Sequence, residues 1–180
     1  MRLPPRVGDQ RRIGVAISIP EPYGARLQQV RAELGDPLAR FIPPHVTLVG
    51  PTVVEPEQLP EVEQHLADVA RSHPPFVLRL SGTGSFRPVS PVVFVKLSRG
   101  AESCTAIEEE ARTGVLEQSL RFAYHPHVTI AHDLDDASLD QAEREMAEFE
   151  ATFLVDRFSL FEHGDDGVWR SVRDVLLAGS

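Results

Sequence analysis

The 180-residue sequence predicts an α+β fold, bilobal with a rough pseudo-twofold, and three observations carry that expectation. Strand-like and helix-like runs come as separate helices and hairpins rather than as a strict βαβ alternation. The stretch PPHVTLVG, Pro43 to Gly50, returns downstream as HPHVTIAH, His125 to His132, with its central histidines 82 residues apart, close to half the chain. Each copy is then followed by a run with helical apolar spacing, as expected of an internal repeat.

The elements follow in order. RIGVAISI, Arg12 to Ile19, is a β-rich run, and Leu27, Val30 and Leu34 after it recur at helical spacing. HVTLVG is a strand stopped by Gly50-Pro51. From Glu57 to Ser72, Leu59, Val62, Leu66 and Val69 mark an amphipathic helix, with His65 beside the stripe as a surface or boundary residue. FVLRLSGTGSF and VVFVKLS read as a hairpin with a long Gly/Pro-rich connector. A helix from about Glu102 to Leu120 buries Cys104, Ile107, Ala111 and Val115, although Gly114 weakens it. YHPHVTIAH is a strand, and Ser138 is a plausible N-cap for a helix burying Leu139, Ala142, Met146 and Phe149. TFLVDRFSLFEH and VWRSVRDVLLA close the chain as two strands about a GDDG turn. No linker or low-complexity tract divides the chain, so residues 1–180 are expected to form a single domain of two intertwined lobes.

Composition narrows the function classes. A hydrophobic content of 42% suits a buried core, and the formal charge of −9 argues against a broad grip on duplex DNA or RNA, which needs a basic face. Small anionic ligands or a nucleic-acid end remain compatible. No run is long and apolar enough for a signal peptide or a membrane span, so the cytoplasm is the expected location. The single cysteine, Cys104, agrees with a reducing compartment and reads as a buried helix residue rather than a nucleophile.

In a strand, alternate side chains share a face, so His45 and Thr47 point one way while Val46 and Leu48 point the other; His127 and Thr129 are arranged identically. The plain reading is a polar, solvated strand face. The duplication favours a different one, in which two imidazoles and two hydroxyls meet across a cleft. Threonine hydroxyls and an imidazolium donate to phosphoryl oxygens. Two histidines titrating near neutrality also supply a neutral base and a charged acid together, as in-line displacement at phosphorus requires.

The two His-x-Thr motifs, PHVTLVG and PHVTIAH, resemble those that define the 2H phosphoesterases, the LigT or 2′-5′ RNA ligase-like proteins. LSGTGSFRP is similar to that family's Gly-x-Gly-x-Phe segment, LFEHGDDGVWRSVRDVLLA resembles its closing hairpin, and strand order matches from about Gly14 to Leu177. The resemblance implies two antiparallel sheets with outer helices, a central cleft, and metal-independent cleavage of cyclic phosphodiesters with no cofactor. Nucleotides or RNA ends carrying a 2′,3′-cyclic phosphate are the typical substrates, and no protein partner or membrane is implied. His45 and His127 would be the catalytic pair and Thr47 and Thr129 the phosphate-oxygen donors. By analogy His127 activates water and His45 protonates the leaving 3′ oxygen to give a 2′-phosphate, an order that the sequence alone leaves open. Two departures, Gly50-Pro51 after the first motif and His132 where relatives often carry Arg, leave substrate preference open.

Around the motifs, Phe86 and Tyr124 are placed either to stack on a base or simply to pack. Arg87 is either a second phosphate ligand or an exposed loop arginine. His125 is a candidate cleft residue, His132 a structural one, and His73 and His163 sit near turns, where solvation is expected. A metal site at His125, His127 and the aspartates after them is the first rival, although it would leave the threonines unexplained. An ATP-dependent ligase is disfavoured because Lys96, the only lysine, lies in VFVKLSRG rather than a Lys-x-Asp-Gly setting. ATP-independent ligation at the same histidines, or a non-catalytic module binding nucleotides or RNA ends, remains as the alternative.

Overall fold

Alternation of buried and half-exposed residues is the same in both motif strands and sets the architecture. In the computed structural model, which describes residues 3–179, the order is β1 (Arg11–Ser18), α1 (Tyr23–Glu33), β2 (His45–Val54), α2 (Leu59–Ser72), β3 (Phe76–Ser85), β4 (Val92–Arg99), α3 (Ala101–Ala111), β5 (His127–His132), α4 (Asp136–Glu145), β6 (Glu150–Val155), β7 (Arg157–His163) and β8 (Trp169–Leu176). Met1, Arg2 and Ser180, part of the expected 1–180 domain, lie outside the described residues.

All strand pairs are antiparallel, and the strand order is β6-β3-β4-β5-β2-β1-β7-β8. The two expected sheets are therefore four-stranded halves, joined into one sheet where Val46 of β2 pairs with Val128 of β5. β6 stands first and β7 seventh in that order, yet only Asp156 separates them in sequence. The sheet must curl for one residue to bridge them.

The apolar face of the motif strands packs on helices: Val46, Leu48, Val128 and Ile130 are each at most 2% exposed, in one contiguous cluster with Leu27, Leu66, Ile107 and Leu139 from the four helices. Each fully buried side chain of this kind contributes about 1.5–3 kcal/mol of transfer free energy. The packing crosses over, because α1 lies against β5 and α3 against β2. Each motif strand is thus backed by a helix from the other half.

Four local expectations need correction. β2 runs through Gly50-Pro51 instead of stopping there, because it carries one residue more than β1 between the Ile13–Thr52 and Val15–Val49 pairs. A bulge of this kind absorbs a proline that cannot donate to the ladder. α3 ends at Ala111, well short of Leu120; Gly114, at φ 57°, begins a separate 3₁₀ turn that buries Leu116. Asp135, not Ser138, caps α4, accepting the Ser138 N–H at 2.9 Å. The run after Thr152 is two strands, since β6 pairs with β3 and β7 with β1.

Candidate active site

The Val46–Val128 pair sets the register of the site. In an antiparallel ladder it places His45 opposite Thr129 and Thr47 opposite His127, all four side chains on the face away from the helices. Each of the four is half-buried.

Both imidazoles are held alike. His45 Nδ1 lies 2.7 Å from the carbonyl of Pro43, and His127 Nδ1 lies 2.7 Å from that of His125. A carbonyl only accepts, so both Nδ1 atoms carry hydrogen and donate, leaving both Nε2 atoms for chemistry in the cleft. The repeated Pro-His dipeptide explains the match: residues before proline are held extended, which turns the carbonyl two positions upstream toward the ring. His45 Nε2 is also 3.1 Å from Thr47 Oγ1, joining imidazole and hydroxyl within one motif. Burial is the main cause holding both pKa values below the ordinary value near 6.5; the carbonyl bonds oppose it, Arg31 adds to it at His45, and His125 and His45 add to it at His127.

Phe86 meets the His127 ring edge-on at 5.0 Å and Phe94 at 4.4 Å, and Phe94 lies 5.2 Å from His127. These rings brace one face of His127. Phe94 fits because β3 offers it Gly84, where a Cβ would stand 2.8 Å from the Phe94 ring. His125 is exposed, with its ring 5.6 Å from Phe86 and 6.2 Å from His127.

Tyr124 is engaged differently from a base-stacking residue. Its hydroxyl donates to the Thr47 carbonyl at 2.8 Å, and burial pushes its pKa up. The segment leading into the second motif thereby clamps the backbone of the first. Tyr124→Phe should destabilise the fold by about 1 kcal/mol, the usual net loss for one hydrogen bond, and reduce turnover less than loss of either histidine. Urea titration alongside a rate assay checks both parts.

Arg87 does not stand free for a second phosphate. Its guanidinium meets Asp140 at 2.8 Å, Glu143 at 3.2 Å and Asp136 at 3.6 Å, all on α4. Its Nε also donates to Ser85 Oγ at 3.2 Å. Asp133 lies 3.1 Å from His132 Nδ1, and Asp135 is used as the α4 cap. Among the described residues no three His, Cys, Asp or Glu side chains cluster to hold a metal ion.

The remaining histidines serve structure. His65 Nε2 is 3.1 Å from the Ala111 carbonyl at the end of α3, and His73 lies 3.2 Å from Glu110. His163 accepts from Arg12 at 2.9 Å and meets the Trp169 ring at 5.1 Å, so neither it nor His73 is simply solvated. Sequence reasoning missed Phe94, as well as Ile42, Phe161 and Trp169, which line a groove beginning at His45 and Thr47. Alternation within VVFVKLS puts Phe94 and Lys96 on one face, but only the pairing of Phe94 with Thr129 and Lys96 with His127 makes it the motif face. No helix among the described residues is long and apolar enough to cross a membrane.

Comparison with known proteins agrees with this geometry. The family model described as the 2′-5′ RNA ligase superfamily matches residues 19–167. Proteins of Bacillus mycoides (strain KBAB4) and Bacillus cereus (strain B4264), each carrying the name "Putative phosphoesterase", are 35% identical over 136 residues, 74% of this chain and 78% of theirs. Among solved structures, apo LigT of E. coli superposes with a TM-score of 0.67 at 19% identity, and TT0787 of Thermus thermophilus with 0.59 at 22%. LigT of E. coli complexed with 3′-AMP gives 0.62 at 18%; each comparison covers 94% of this chain and 99% of the other. At these identities the structures speak for the fold, while the family model and the Bacillus relatives speak for phosphoester chemistry. On those grounds the chain belongs to the 2′-5′ RNA ligase superfamily, the 2H phosphoesterases.

Proposed function

We propose that this protein hydrolyses a cyclic phosphodiester, a 2′,3′-cyclic phosphate on a nucleotide or RNA end, to a 2′-phosphate by acid–base catalysis between two histidines. One observation carries the reading: two imidazoles, each with Nδ1 tied to a backbone carbonyl, present two Nε2 atoms on one sheet face, beside two threonine hydroxyls. His127 Nε2 takes a proton from the attacking water while His45 Nε2–H gives one to the departing 3′ oxygen. Thr47 and Thr129 donate to the non-bridging oxygens as charge gathers there. No step calls on a metal. The buried free thiol of Cys104 accords with a cytoplasmic setting. ATP-independent 2′-5′ ligation, in which a 5′-hydroxyl replaces water as the attacking group on the same cyclic phosphate and the 3′ oxygen again departs with a proton, is the second reading and is favoured by the family description.

Turnover of a 2′,3′-cyclic nucleotide in EDTA tests the proposal. kcat/KM should follow a bell in pH, because one ring must be neutral and the other charged. Both pKa values lie below 6.5, so the ring that must be charged already loses its proton below that pH. The maximum is therefore expected on the acidic side of about 6.5. A rate that climbs steadily into alkaline pH, or that chelator abolishes, would overturn the two-histidine reading.

A further inference from the structure

Thr47, His127 and Lys96 form one row across β2, β5 and β4, since Lys96 pairs with His127 and His127 stands opposite Thr47. The single lysine of the chain therefore shares the motif face. Its stem leans outward, away from the imidazole: a Cβ on Gly82 of β3 would stand 3.5 Å from Lys96 Cε and 3.8 Å from Nζ, and one on Gly84 would stand 3.6 Å from Cδ. Gly82, at φ 72°, sits at a break in the β3–β4 register, a conformation that suits glycine and leaves the floor under the ammonium bare. Neighbouring carboxylates do not neutralise this charge. Glu150 is engaged by Arg79 at 2.9 Å and by Ser81, while Asp140 and Glu143 hold Arg87. Lys96 is exposed and, among the described residues, has no hydrogen bond or ion pair. His125 stands two positions before His127 and so diagonal to Lys96; its exposed ring, 6.2 Å from that of His127, offers an N–H in either charge state.

We infer that Lys96, with His125 as a second donor, is an anion seat for a non-reacting phosphate, one linkage away from the phosphate held by the two motifs. The inference rests on the phosphoryl site proposed above and adds what adjoins the reacting group. Distance points past the reacting phosphate, which lies between β5 and β2. Strands stand about 4.8 Å apart, so an ammonium over β3 is about 10 Å along the sheet from β5. A lysine is a compact point charge with three rotatable donors, suited to a phosphodiester oxygen that arrives without fixed geometry. One such contact reads the end of a strand, in keeping with a chain of formal charge −9 that lacks the basic face needed to grip a duplex. The seat therefore favours oligonucleotides over mononucleotides. Two sources share this chemistry: the strand that carries the cyclic phosphate, and a second strand with a free 5′-hydroxyl.

Calorimetric titration tests the seat without turnover. The dinucleotide ApA ending in a 2′-phosphate carries two phosphates, and adenosine 2′-monophosphate carries one. The unmodified protein should bind the dinucleotide on the order of 10-fold more tightly; Lys96→Met should remove most of that advantage, and Lys96→Arg, which keeps the charge, should retain it. For the dinucleotide, the slope of log affinity against log salt should also flatten by about 0.7 in Lys96→Met, as expected for one phosphate contact on a single strand. ApA without a terminal phosphate, titrated into protein saturated with adenosine 2′-monophosphate, separates the sources. Binding that Lys96→Met abolishes assigns the seat to a second strand, whereas a Lys96-dependent preference for the dinucleotide assigns it to the same strand. The seat is refuted if neither the dinucleotide preference nor the binding of ApA responds to Lys96→Met. Lys96-dependent binding with no turnover of any cyclic phosphate would sink the hydrolase reading and leave the seat standing.

Discussion

His127→Ala should lower kcat/KM for a 2′,3′-cyclic nucleotide by on the order of 10²-fold or more, and His45→Ala should do the same, with the fold intact in both. Each loss removes one of the two proton carriers of the site. His125 stands 6.2 Å from His127 ring to ring. The fold is expected to survive because both rings are half-buried on the cleft face, opposite the Val46 and Val128 face that makes the core. The double variant should be little worse than either single one, since an acid without its base has no step to serve. Circular dichroism and steady-state rates decide the matter: a folded His127→Ala protein keeping a tenth or more of the activity would remove His127 from the chemistry.

The second large effect is on stability. Arg31 and Asp36 are buried together, their side chains 6% and 3% exposed, with guanidinium and carboxylate 2.8 Å apart. Arg31 also donates to the Ile42 carbonyl at 2.5 Å, and Asp36 accepts the Leu38 N–H at 2.9 Å. The pair thereby folds the segment between α1 and β2, which delivers the Pro43 carbonyl that holds His45. Asp36→Ala leaves the Arg31 charge buried without its partner, which costs about 3–5 kcal/mol. For a chain of this length that lowers the melting temperature by roughly 10 °C. The exposed pair Arg79–Glu150, at 2.9 Å, provides the control: Glu150→Ala should cost under about 1 kcal/mol. Arg31 also helps hold the His45 pKa down, so in Asp36→Ala the high-pH limb of the rate profile should move further to acid. Equal melting temperatures for Asp36→Ala and Glu150→Ala would show that the buried pair does not secure this segment.

How much could be foreseen follows from the range of each interaction. The motif strands, their phase and the amphipathic α2 were legible because periods of two and 3.6 residues lie within a dozen neighbours. Helix ends were less so. Gly114 weakens the helical pattern, but where α3 stops also depends on Leu116 turning back into the core, and Asp135 outcompetes Ser138 as cap by geometry at a single carboxylate. For Arg87 the sequence leaves a phosphate ligand and an exposed loop arginine both open, because the three carboxylates that engage it lie about 50 residues downstream.

By itself, then, the sequence determined that two His-x-Thr strands each show an imidazole and a hydroxyl on one face and bury valine and aliphatic neighbours on the other. That much is local stereochemistry, since alternate strand residues face alternate ways whatever they pair with. Tertiary structure decided how the strands meet, through the Val46–Val128 register that brings the four polar side chains together. It also decided how their surroundings differ, with Trp169 over Gly14 on one side and Phe94 over Gly84 on the other. Those contacts join residues from 10 to 155 positions apart through the order of strands in a curled sheet, and no local periodicity encodes which strands become neighbours.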